Sequence, residues 1–178
     1  MKKYLITDPN YYTTSPIRFK KRLVRAIERH APDMILFRQK IPTNYRALAI
    51  AAKSVARRYG KELYISGDVT MARRLGVRVH FTSRQVSKLT RYAKHDAIIS
   101  THSLVELRKA RRLRARYATF SPIFATPGKG APKGVHALRK ALRYHRGVIA
   151  LGGIVSPRHI HHLQKARPAA FASIRYFV

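Results

Sequence analysis

Cysteine is absent from this 178-residue sequence, and acidic residues are scarce, with only seven Asp and Glu. The lack of cysteine excludes disulfides and thiolate chemistry. No apolar run approaches the roughly 18 residues that would suggest a membrane span. The N-terminal segment MKKYLITDPN has only a three-residue apolar run, so it does not read as a signal peptide. We therefore expect a cytoplasmic protein without a membrane partner.

Positive charge dominates the composition. The sequence has 38 Lys and Arg residues against seven Asp and Glu, for a net charge of +31. Such an excess points to polyanionic partners. The basic residues are nevertheless spread along the whole chain among apolar residues at helical spacing, as in the segment 19–27. Because this pattern is typical of solvated helix faces, we predict weak, salt-sensitive binding to polyanions and no specific recognition of nucleic acid.

The length and the 46% hydrophobic content indicate one folded domain, residues 1–178, with a sizeable core. Short apolar segments, each a candidate strand, recur about every 20 residues along it. They span residues 3–7, 34–37, 63–65, 77–81, 97–99, 117–120, 147–151 and 170–174.

Helix signals separate these strands. Ser15-Pro16 and Ser156-Pro157 each place a candidate N-cap before a proline at the first helical position. The predicted helices cover residues 16–30, 44–59, 68–75, 85–92, 104–113, 135–144 and 157–163. Alternating strands and helices predict an α/β fold with a parallel sheet, and eight repeats fit a closed (β/α)₈ TIM barrel best. A doubly wound open sheet is the alternative.

The sequence is short for such a barrel, whose typical length is about 250 residues. Only four residues follow the eighth strand, so the last helix would be missing or vestigial. The outer faces of the first and last strands would then be partly bare, which is uncommon on a monomer. We therefore expect a homodimer with Tyr176, Phe177 and Val178 near the contact. The alternative is that the first helix shifts over to fill the gap.

The stretch 116–154 reads as strand, loop, helix and strand, ending on Gly152-Gly153. Its loop holds three prolines and three glycines around Lys129 and Lys133. In α/β folds, ligands sit at the carboxyl ends of parallel strands. Paired glycines there let backbone N–H groups approach an anion, and lysine adds a point charge. The alternative reading is a flexible loop followed by a turn.

The residues that follow the eight strands are rich in hydroxyls and cations and poor in carboxylates. They predict a pocket for a phosphorylated small molecule. The set comprises Asp8, Arg38, Lys40, Ser66, Gly67, Thr82, Ser100, His102, Ser121, Thr126, Lys129, Gly152, Gly153 and Arg175.

Five of these segments also carry a family resemblance. They are residues 4–8, 37–40, 100–103, 121–126 with Lys129, and 150–154. In order and spacing they resemble the thiamine phosphate synthase/TenI superfamily, over nearly the whole chain. The resemblance implies a TIM barrel of thiamine biosynthesis that binds a phosphorylated thiazole.

Two activities are characteristic of that superfamily. The synthase joins a pyrimidine diphosphate to thiazole phosphate, with Mg²⁺ on the pyrophosphate, whereas a thiazole tautomerase of the TenI branch aromatises a carboxythiazole phosphate without metal. The synthase pattern has one aspartate after strand three and another after strand four, and this sequence aligns Gly67 and Gln85 with them. Leu36 aligns with a glutamine that would face the pyrimidine. Asp68 is one position from a lost aspartate, although an Asp there is more often a helix N-cap.

Mg²⁺ needs oxygen ligands, usually including one or two carboxylates. We therefore expect no metal and no cofactor, with Mg²⁺ required only if the synthase alternative holds. In that case Arg38, Lys40, Arg84 and Lys129 would partly neutralise a diphosphate.

His102 is the candidate catalytic residue. The resemblance implies this role, because tautomerases of the branch have a histidine at the corresponding position, where it moves the proton. Imidazole suits the role because its pKa lies near neutrality. A structural role is the alternative, because synthases have a histidine there too. His80 is expected to be packed, and His159, His161 and His162 are expected to decorate a helix rather than bind zinc.

Three hypotheses follow. In the first, the chain is a tautomerase-like protein whose substrate phosphate sits on Gly152-Gly153 and the backbone at Ile174-Arg175, under Lys129 and the 121–133 loop. In the second, it is a divergent thiamine phosphate synthase. In the third, it is a non-catalytic regulatory or polyanion-binding protein on the same scaffold.

Overall fold

Eight parallel strands close into a barrel in the computed structural model, which describes residues 1–85 and 96–178. Each strand pairs with the next one along the chain, and the last pairs with the first. The strands are β1 (Lys2–Ile6), β2 (Met34–Phe37), β3 (Glu62–Ser66), β4 (Arg78–Phe81), β5 (Ile98–Thr101), β6 (Tyr117–Phe120), β7 (Val148–Leu151) and β8 (Ala170–Ser173). This closure confirms the predicted (β/α)₈ barrel and excludes the open sheet.

Seven helices lie around the barrel in the described ranges. They are α1 (Pro9–Tyr12), α2 (Pro16–His30), α3 (Tyr45–Arg58), α4 (Val69–Leu75), α5 (Leu104–Arg112), α6 (Gly134–Tyr144) and α7 (Pro157–Gln164). The one-turn helix α1 was not predicted, because Asp8-Pro9 read only as a strand stop. The predicted helix 85–92 lies, beyond Gln85, outside the described residues.

Local capping explains where several helices begin and end. The Asp68 carboxylate accepts a hydrogen bond from Met71 N at 2.8 Å, and Gly76 ends α4 in the left-handed conformation. Ser103 and Glu106 form a capping box at the start of α5. At Ser15 and Asn44, by contrast, the helices start as predicted but the side chain makes no cap bond.

Side chains alternate between two apolar layers. One layer fills the barrel interior, and the other packs the strands against the surrounding helices. The interior layer comprises Tyr4, Ile6, Met34, Leu36, Tyr64, Ile98, Ile149, Ala170 and Ala172. Burying one large apolar side chain contributes about 1.5–3 kcal/mol, so the two layers account for much of the driving force for folding.

The expected bare side of the barrel is not bare. Leu5 and Phe171, on β1 and β8, are buried. A single 3₁₀ turn (Arg175–Phe177) folds back so that the Phe177 ring stacks on the Phe171 ring at 5.9 Å. The Tyr12 hydroxyl then donates to the Phe177 carbonyl at 3.2 Å. The expectation of bare outer faces is therefore wrong. Phe177 and α1 cover the outer faces of β1 and β8, which a helix after β8 would otherwise cover. The homodimer loses this motivation and stays a prediction.

Polar groups close the N-terminal end of the barrel. The guanidinium of Arg116 donates two hydrogen bonds to Glu62, at 3.0 and 3.3 Å, and Arg78 lies between Glu62 and Asp96. The Tyr64 hydroxyl donates to Glu62 from the interior at 2.8 Å. Two arginines are thus paired with two carboxylates at this end. These contacts link β3 and β4 to the residue that precedes β6. Across residues 1–85 and 96–178, no helix has both the length and the apolarity to cross a membrane.

Candidate functional site

The carboxyl ends of β1, β7 and β8 enclose a cavity of about 310 Å³. Six of the residues predicted to form the pocket line it: Asp8, Thr126, Gly152, Gly153, Ile174 and Arg175. It lies where TIM barrels commonly bind phosphate, between the loops after strands seven and eight and the start of a short extra helix. Here that helix is the 3₁₀ turn after β8, which begins at Arg175.

Two consecutive glycines shape the cavity, because a residue with a Cβ atom would not fit at either position. Both have positive φ, 101° at Gly152 and 68° at Gly153. A Cβ atom on Gly153 would lie 2.5 Å from the Ala125 carbonyl oxygen, and one on Gly152 would lie 2.8 Å from Pro122 Cα. The loop is bonded onto this turn, since Ile123 N donates to Leu151 O and Phe124 N donates to Gly152 O. The glycines therefore let the loop close over the cavity.

An ion pair stands at the edge of the cavity. Asp8 lines it, and Arg38 donates to the Asp8 carboxylate at 2.6 Å. Thr7 Oγ1 accepts a hydrogen bond from Arg38 N at 3.0 Å, which fixes the backbone after β2. Because Arg38 neutralises Asp8, the carboxylate does not make the cavity repel an anion. Asp8 also caps α1, which brings Asn10 and Tyr11 to the cavity wall.

Sequence reasoning missed Asn10 and Tyr11. The available signal was Asp8-Pro9 itself, since a potential N-cap followed by proline is a helix start. It was present in the sequence, but one helical turn is too short to show an apolar periodicity.

His102 lies on the other side of the same loop. Its Nδ1 is 3.1 Å from Ser121 Oγ, and its backbone N–H donates to the Glu106 carboxylate. The imidazole is exposed. Ser121-Pro122 thus lies between the His102 ring on one side and the Gly152 backbone on the other. A hydrogen bond at Nδ1 orients the ring and leaves Nε2 as the nitrogen to exchange a proton with a ligand.

Ser100 is anchored from below by a buried histidine. His80 Nε2 lies 3.0 Å from Ser100 Oγ, and His80 Nδ1 lies 3.0 Å from the Tyr4 hydroxyl. Burial, with a smaller contribution from the Arg38 charge, lowers the pKa of His80 to about 3. His80 is therefore a packed, neutral residue, as expected, and it holds the Ser100 hydroxyl at the barrel mouth.

Among the predicted binding residues that do not line the cavity, Arg38 pairs with Asp8, Ser100 bonds His80, and two lysines remain. Lys40 and Lys129 are exposed loop residues, and neither lines it. The Lys129 backbone N–H donates to Thr126 O at 3.1 Å, so its position in the loop is defined. Of the histidine group on α7, His159 packs on Phe124 at 4.6 Å between ring centroids and bonds Ser156 Oγ. It supports the loop that covers the cavity.

Gly67 and Gln85, which align with the aspartates of the synthase pattern, touch each other. Gln85 Nε2 donates to Gly67 O at 2.7 Å, and Gln85 Oε1 accepts from Thr82 N and Thr82 Oγ1, both at 3.1 Å. A Cβ atom on Gly67 would lie 3.2 Å from Gln85 Oε1. The two positions are thus adjacent in space, as a shared metal site would require. Here a neutral amide joins the ends of β3 and β4 instead.

The remaining carboxylates at this end have other roles. Asp68 caps α4, Glu106 completes the capping box of α5, and Asp8 pairs with Arg38. Within the described ranges, no group of three or more His, Asp or Glu residues is placed to hold a metal ion. The donor set therefore does not fit a magnesium-diphosphate site.

Comparison with known proteins identifies the family. The family model described as thiamine monophosphate synthase matches residues 3–176. A thiamine phosphate pyrophosphorylase from Pyrococcus furiosus superposes with a TM-score of 0.80 at 21% identity, covering 97% of this chain and 85% of the other. One from Bacteroides thetaiotaomicron gives 0.68 at 20% identity, with coverages of 99% and 84%.

An aldolase, QR15, shares the fold with a TM-score of 0.64 at 14% identity, covering 99% of this chain and 90% of its own. No curated protein matches the chain by sequence. The structural likenesses establish the barrel, and the family model covers nearly every residue of it. The chain therefore belongs to the thiamine phosphate synthase/TenI superfamily, as the five sequence segments predicted.

Proposed function

We propose that this protein binds a thiazole phosphate and acts as a metal-independent, thiazole tautomerase-like isomerase. The observation that carries the proposal is the contrast at the barrel mouth. The phosphate elements and His102 are retained, while the two positions expected to hold Mg²⁺ are joined by an amide hydrogen bond from Gln85 to Gly67.

The cavity at β7 and β8 suits the phosphate of such a ligand. The Gly152-Gly153 turn has no side chains, and the backbone around Ile174-Arg175 opens the 3₁₀ turn, so backbone N–H groups of both are candidates for the phosphate oxygens. The Thr126 hydroxyl and the Arg175 charge complete the set. Lys129, on the covering loop, would add a mobile cation from above. A volume of about 310 Å³ is at the lower end for small-molecule sites, as expected for a small heterocycle.

The reaction proposed for His102 moves one proton and needs no oxidant or reductant. Aromatisation of a carboxythiazole phosphate by tautomerisation removes a proton from one ring position and delivers it to another, with no net change in atoms or electrons. His102 Nε2 would accept the proton and return it, while Ser121 Oγ holds Nδ1. Ser100, held by His80, would be the hydroxyl that orients the ring of the substrate.

The alternative is a divergent thiamine phosphate synthase. The family model and the two pyrophosphorylase structures favour it, because both carry that activity in their descriptions. In that case Arg38, which pairs with Asp8, and the exposed cations Lys40 and Arg84 would neutralise the diphosphate, because the carboxylates that usually hold Mg²⁺ are missing at Gly67 and Gln85.

The deciding experiment measures aromatisation of carboxythiazole phosphate by the wild type, His102→Ala and His136→Ala. His136 is an exposed histidine of α6 and serves as the matched control. We expect His102→Ala to lose at least about 100-fold in kcat with little change in Tm, because its ring is exposed and general acid–base catalysis contributes roughly that much. His136→Ala should retain wild-type activity.

Absence of turnover by the wild type would contradict the isomerase. Pyrophosphate release from the pyrimidine diphosphate and thiazole phosphate, dependent on Mg²⁺, would establish the synthase instead. Binding of thiazole phosphate by titration calorimetry without either reaction would favour a regulatory protein on the same scaffold.

A further inference from the structure

A second basic site lies at the opposite end of the barrel, where α5 and α6 end. Four exposed arginines line a cavity of about 520 Å³ there. They are Arg111, Arg114, Arg143 and Arg146, and we call the site the arginine basin. The basin lies at the N-terminal ends of the strands, and the candidate site lies at their carboxyl ends. The two are therefore separated by the length of the barrel.

The basin carries uncompensated charge. All seven carboxylates of the chain are in the described ranges, and each has a partner elsewhere. Within residues 1–85 and 96–178, no ion pair joins a basin arginine to a carboxylate. Glu62, at the same end of the barrel, is bound by Arg78 and Arg116. Four guanidinium groups therefore share one cavity without a protein anion.

The floor of the basin is rigid. His145 is buried, its Nε2 lies 3.1 Å from Ala115 O, and its Nδ1 accepts a hydrogen bond from Gly147 N at 2.9 Å. A Cβ atom on Gly147 would lie 2.3 Å from Arg116 O, so the two loops meet closely. Burial lowers the pKa of His145, with the Arg111 charge acting in the same direction. A neutral histidine thus clamps together the loops that carry Arg114 and Arg146.

Arg114 occupies a position that usually belongs to glycine. Its φ is 55°, just past the end of α5, and its backbone N–H donates to Arg111 O. The corresponding positions after α3 and α4 are Gly60 and Gly76, with φ of 61° and 62°. A left-handed conformation is unfavourable for a residue with a Cβ atom. Ala31 after α2 and Arg167 after α7 share this conformation, with φ of 45° and 54°, so it is the charge of Arg114 and not its backbone that contributes to the basin.

Helix ends alone do not explain the basin. Cations are favourable in the last turn of a helix, and this accounts for Arg111 and Arg143. Arg114 and Arg146 lie beyond the helices, where the effect of the dipole fades. The partial negative charge of two helix C-termini also opposes an anion, so several guanidinium groups are needed to attract one.

We propose that the arginine basin binds the phosphate backbone of a nucleic acid without reading its sequence. A phosphate polymer is favoured over a small phosphate because exposed cations continue outward from the basin along both helices. They are Arg108, Lys109 and Arg112 on α5, and Arg139 and Lys140 on α6. The Arg108 guanidinium lies 4.6 Å from the centroid of the Tyr144 ring and occupies one face of it, so the basin presents mainly cations rather than a stacking platform.

The test uses fluorescence anisotropy with a labelled single-stranded polyuridine RNA of about 20 nucleotides, titrated between about 50 and 300 mM KCl. One variant changes the four basin arginines to glutamine. The matched control also introduces four glutamines and so removes the same charge. They replace exposed arginines of α2 and α3, namely Arg18, Arg25, Arg46 and Arg57. Losing four phosphate contacts should lower the slope of log K against log salt by about 3 in the basin variant. The control should change it by less than about 1.

Equal effects of the two quadruple variants would overturn the proposal, because binding would then follow net charge alone. Tight, basin-dependent binding of inorganic tripolyphosphate, with RNA binding the same in both variants, would also overturn it and identify a small-anion site. Thiazole phosphate binding, measured on the same proteins, should be unchanged in both, so this outcome is independent of the proposed isomerase.

Arg114→Gly separates function from folding. Glycine relieves the left-handed backbone, so we expect Tm to rise by about 2–4 °C while RNA affinity falls several-fold. Ala31→Gly is the control, since Ala31 ends α2 with φ of 45°. It should raise Tm without changing RNA affinity. A stabilised Arg114→Gly protein with undiminished RNA binding would contradict the assignment.

Discussion

The β7–β8 side of the barrel mouth is open, and the β3–β4 side is closed. On the open side, Gly152 and Gly153 remove side chains and leave a cavity of about 310 Å³ under the loop. On the closed side, Gln85 extends across the end of β3 and bonds Gly67 and Thr82. Glycine occurs on both sides with a positive φ, yet it makes space on one and accommodates a neighbour on the other.

The difference teaches that two sides of one barrel mouth depend on different features of the sequence. The half that suits a phosphate depends on backbone geometry, which one substitution destroys. The half that would suit a metal-bound diphosphate depends on carboxylates, which can be replaced without disturbing the barrel. This contrast is the basis for the proposed one-substrate reaction on a phosphorylated ligand.

The largest expected effect comes from filling the open side. Gly153→Ala places a Cβ atom 2.5 Å from Ala125 O at a φ of 68°, so strain and overpacking should cost about 3 kcal/mol or more. Displacing the loop should weaken thiazole phosphate binding at least about tenfold. Gly128→Ala is the control, because its φ is also 68° but nothing lies within 4 Å of the added atom. It should cost only about 1 kcal/mol. Urea denaturation and calorimetry measure both quantities, and equal losses would show that φ alone matters.

The stability of the protein is expected to depend on pH through His80, which is buried on β4. The folded-state pKa is about 3, below the unfolded value of about 6.5, so the unfolded chain binds the extra proton between these values. The free energy of unfolding should therefore fall as pH decreases from about 6.5 toward 3, by up to about 1.4 kcal/mol per pH unit from this residue. His80→Gln should reduce the slope of the free energy of unfolding against pH by the contribution of one proton, about 1.4 kcal/mol per pH unit at most.

Urea unfolding between about pH 4 and 7 measures the slope. Titrations shared by the wild type and the variant, including that of His145, cancel in the difference. An unchanged slope in His80→Gln would mean that His80 takes up a proton in the folded protein.

The smallest effect should come from opening the closed side. Gln85→Ala removes three hydrogen bonds, and we expect a loss of about 1–2 kcal/mol of stability. Thiazole phosphate affinity should stay within about twofold, because Gln85 does not line that cavity. Gln39→Ala, which removes a single exposed bond to Ile41 N, is the control and should cost about 0.5 kcal/mol. A large loss of affinity in Gln85→Ala would show that the two sides are coupled.

Much of the fold was predictable because it depends on local periodicity. Each short apolar run became a strand, and α4 begins at the Asp68 carboxylate cap and ends at the left-handed backbone of Gly76. Errors arose where a single residue acts over a long distance. The aromatic ring of Phe177 covers Phe171, and the Tyr12 hydroxyl bonds the Phe177 carbonyl 165 residues away. No local pattern announces either contact.

The candidate site divides in the same way. Gly152, Gly153 and Arg175 were predicted because each follows a strand, and parallel strands bring their carboxyl ends to one edge. Lys40 and Lys129 met the same criterion, yet their side chains belong to exposed loops outside the cavity. Position after a strand places a residue at the carboxyl edge of the barrel, but loop conformation decides which side chains line the cavity.

By itself, the sequence determined the barrel and the family, because these depend on periodicity and on residue order. Only the tertiary structure decided which groups meet. It brought Gln85 onto Gly67, His80 next to Ser100, and four arginines from the ends of α5 and α6 and the residues after them around His145. The physical reason is that such contacts depend on barrel closure, which joins residues distant in sequence through the register of neighbouring strands.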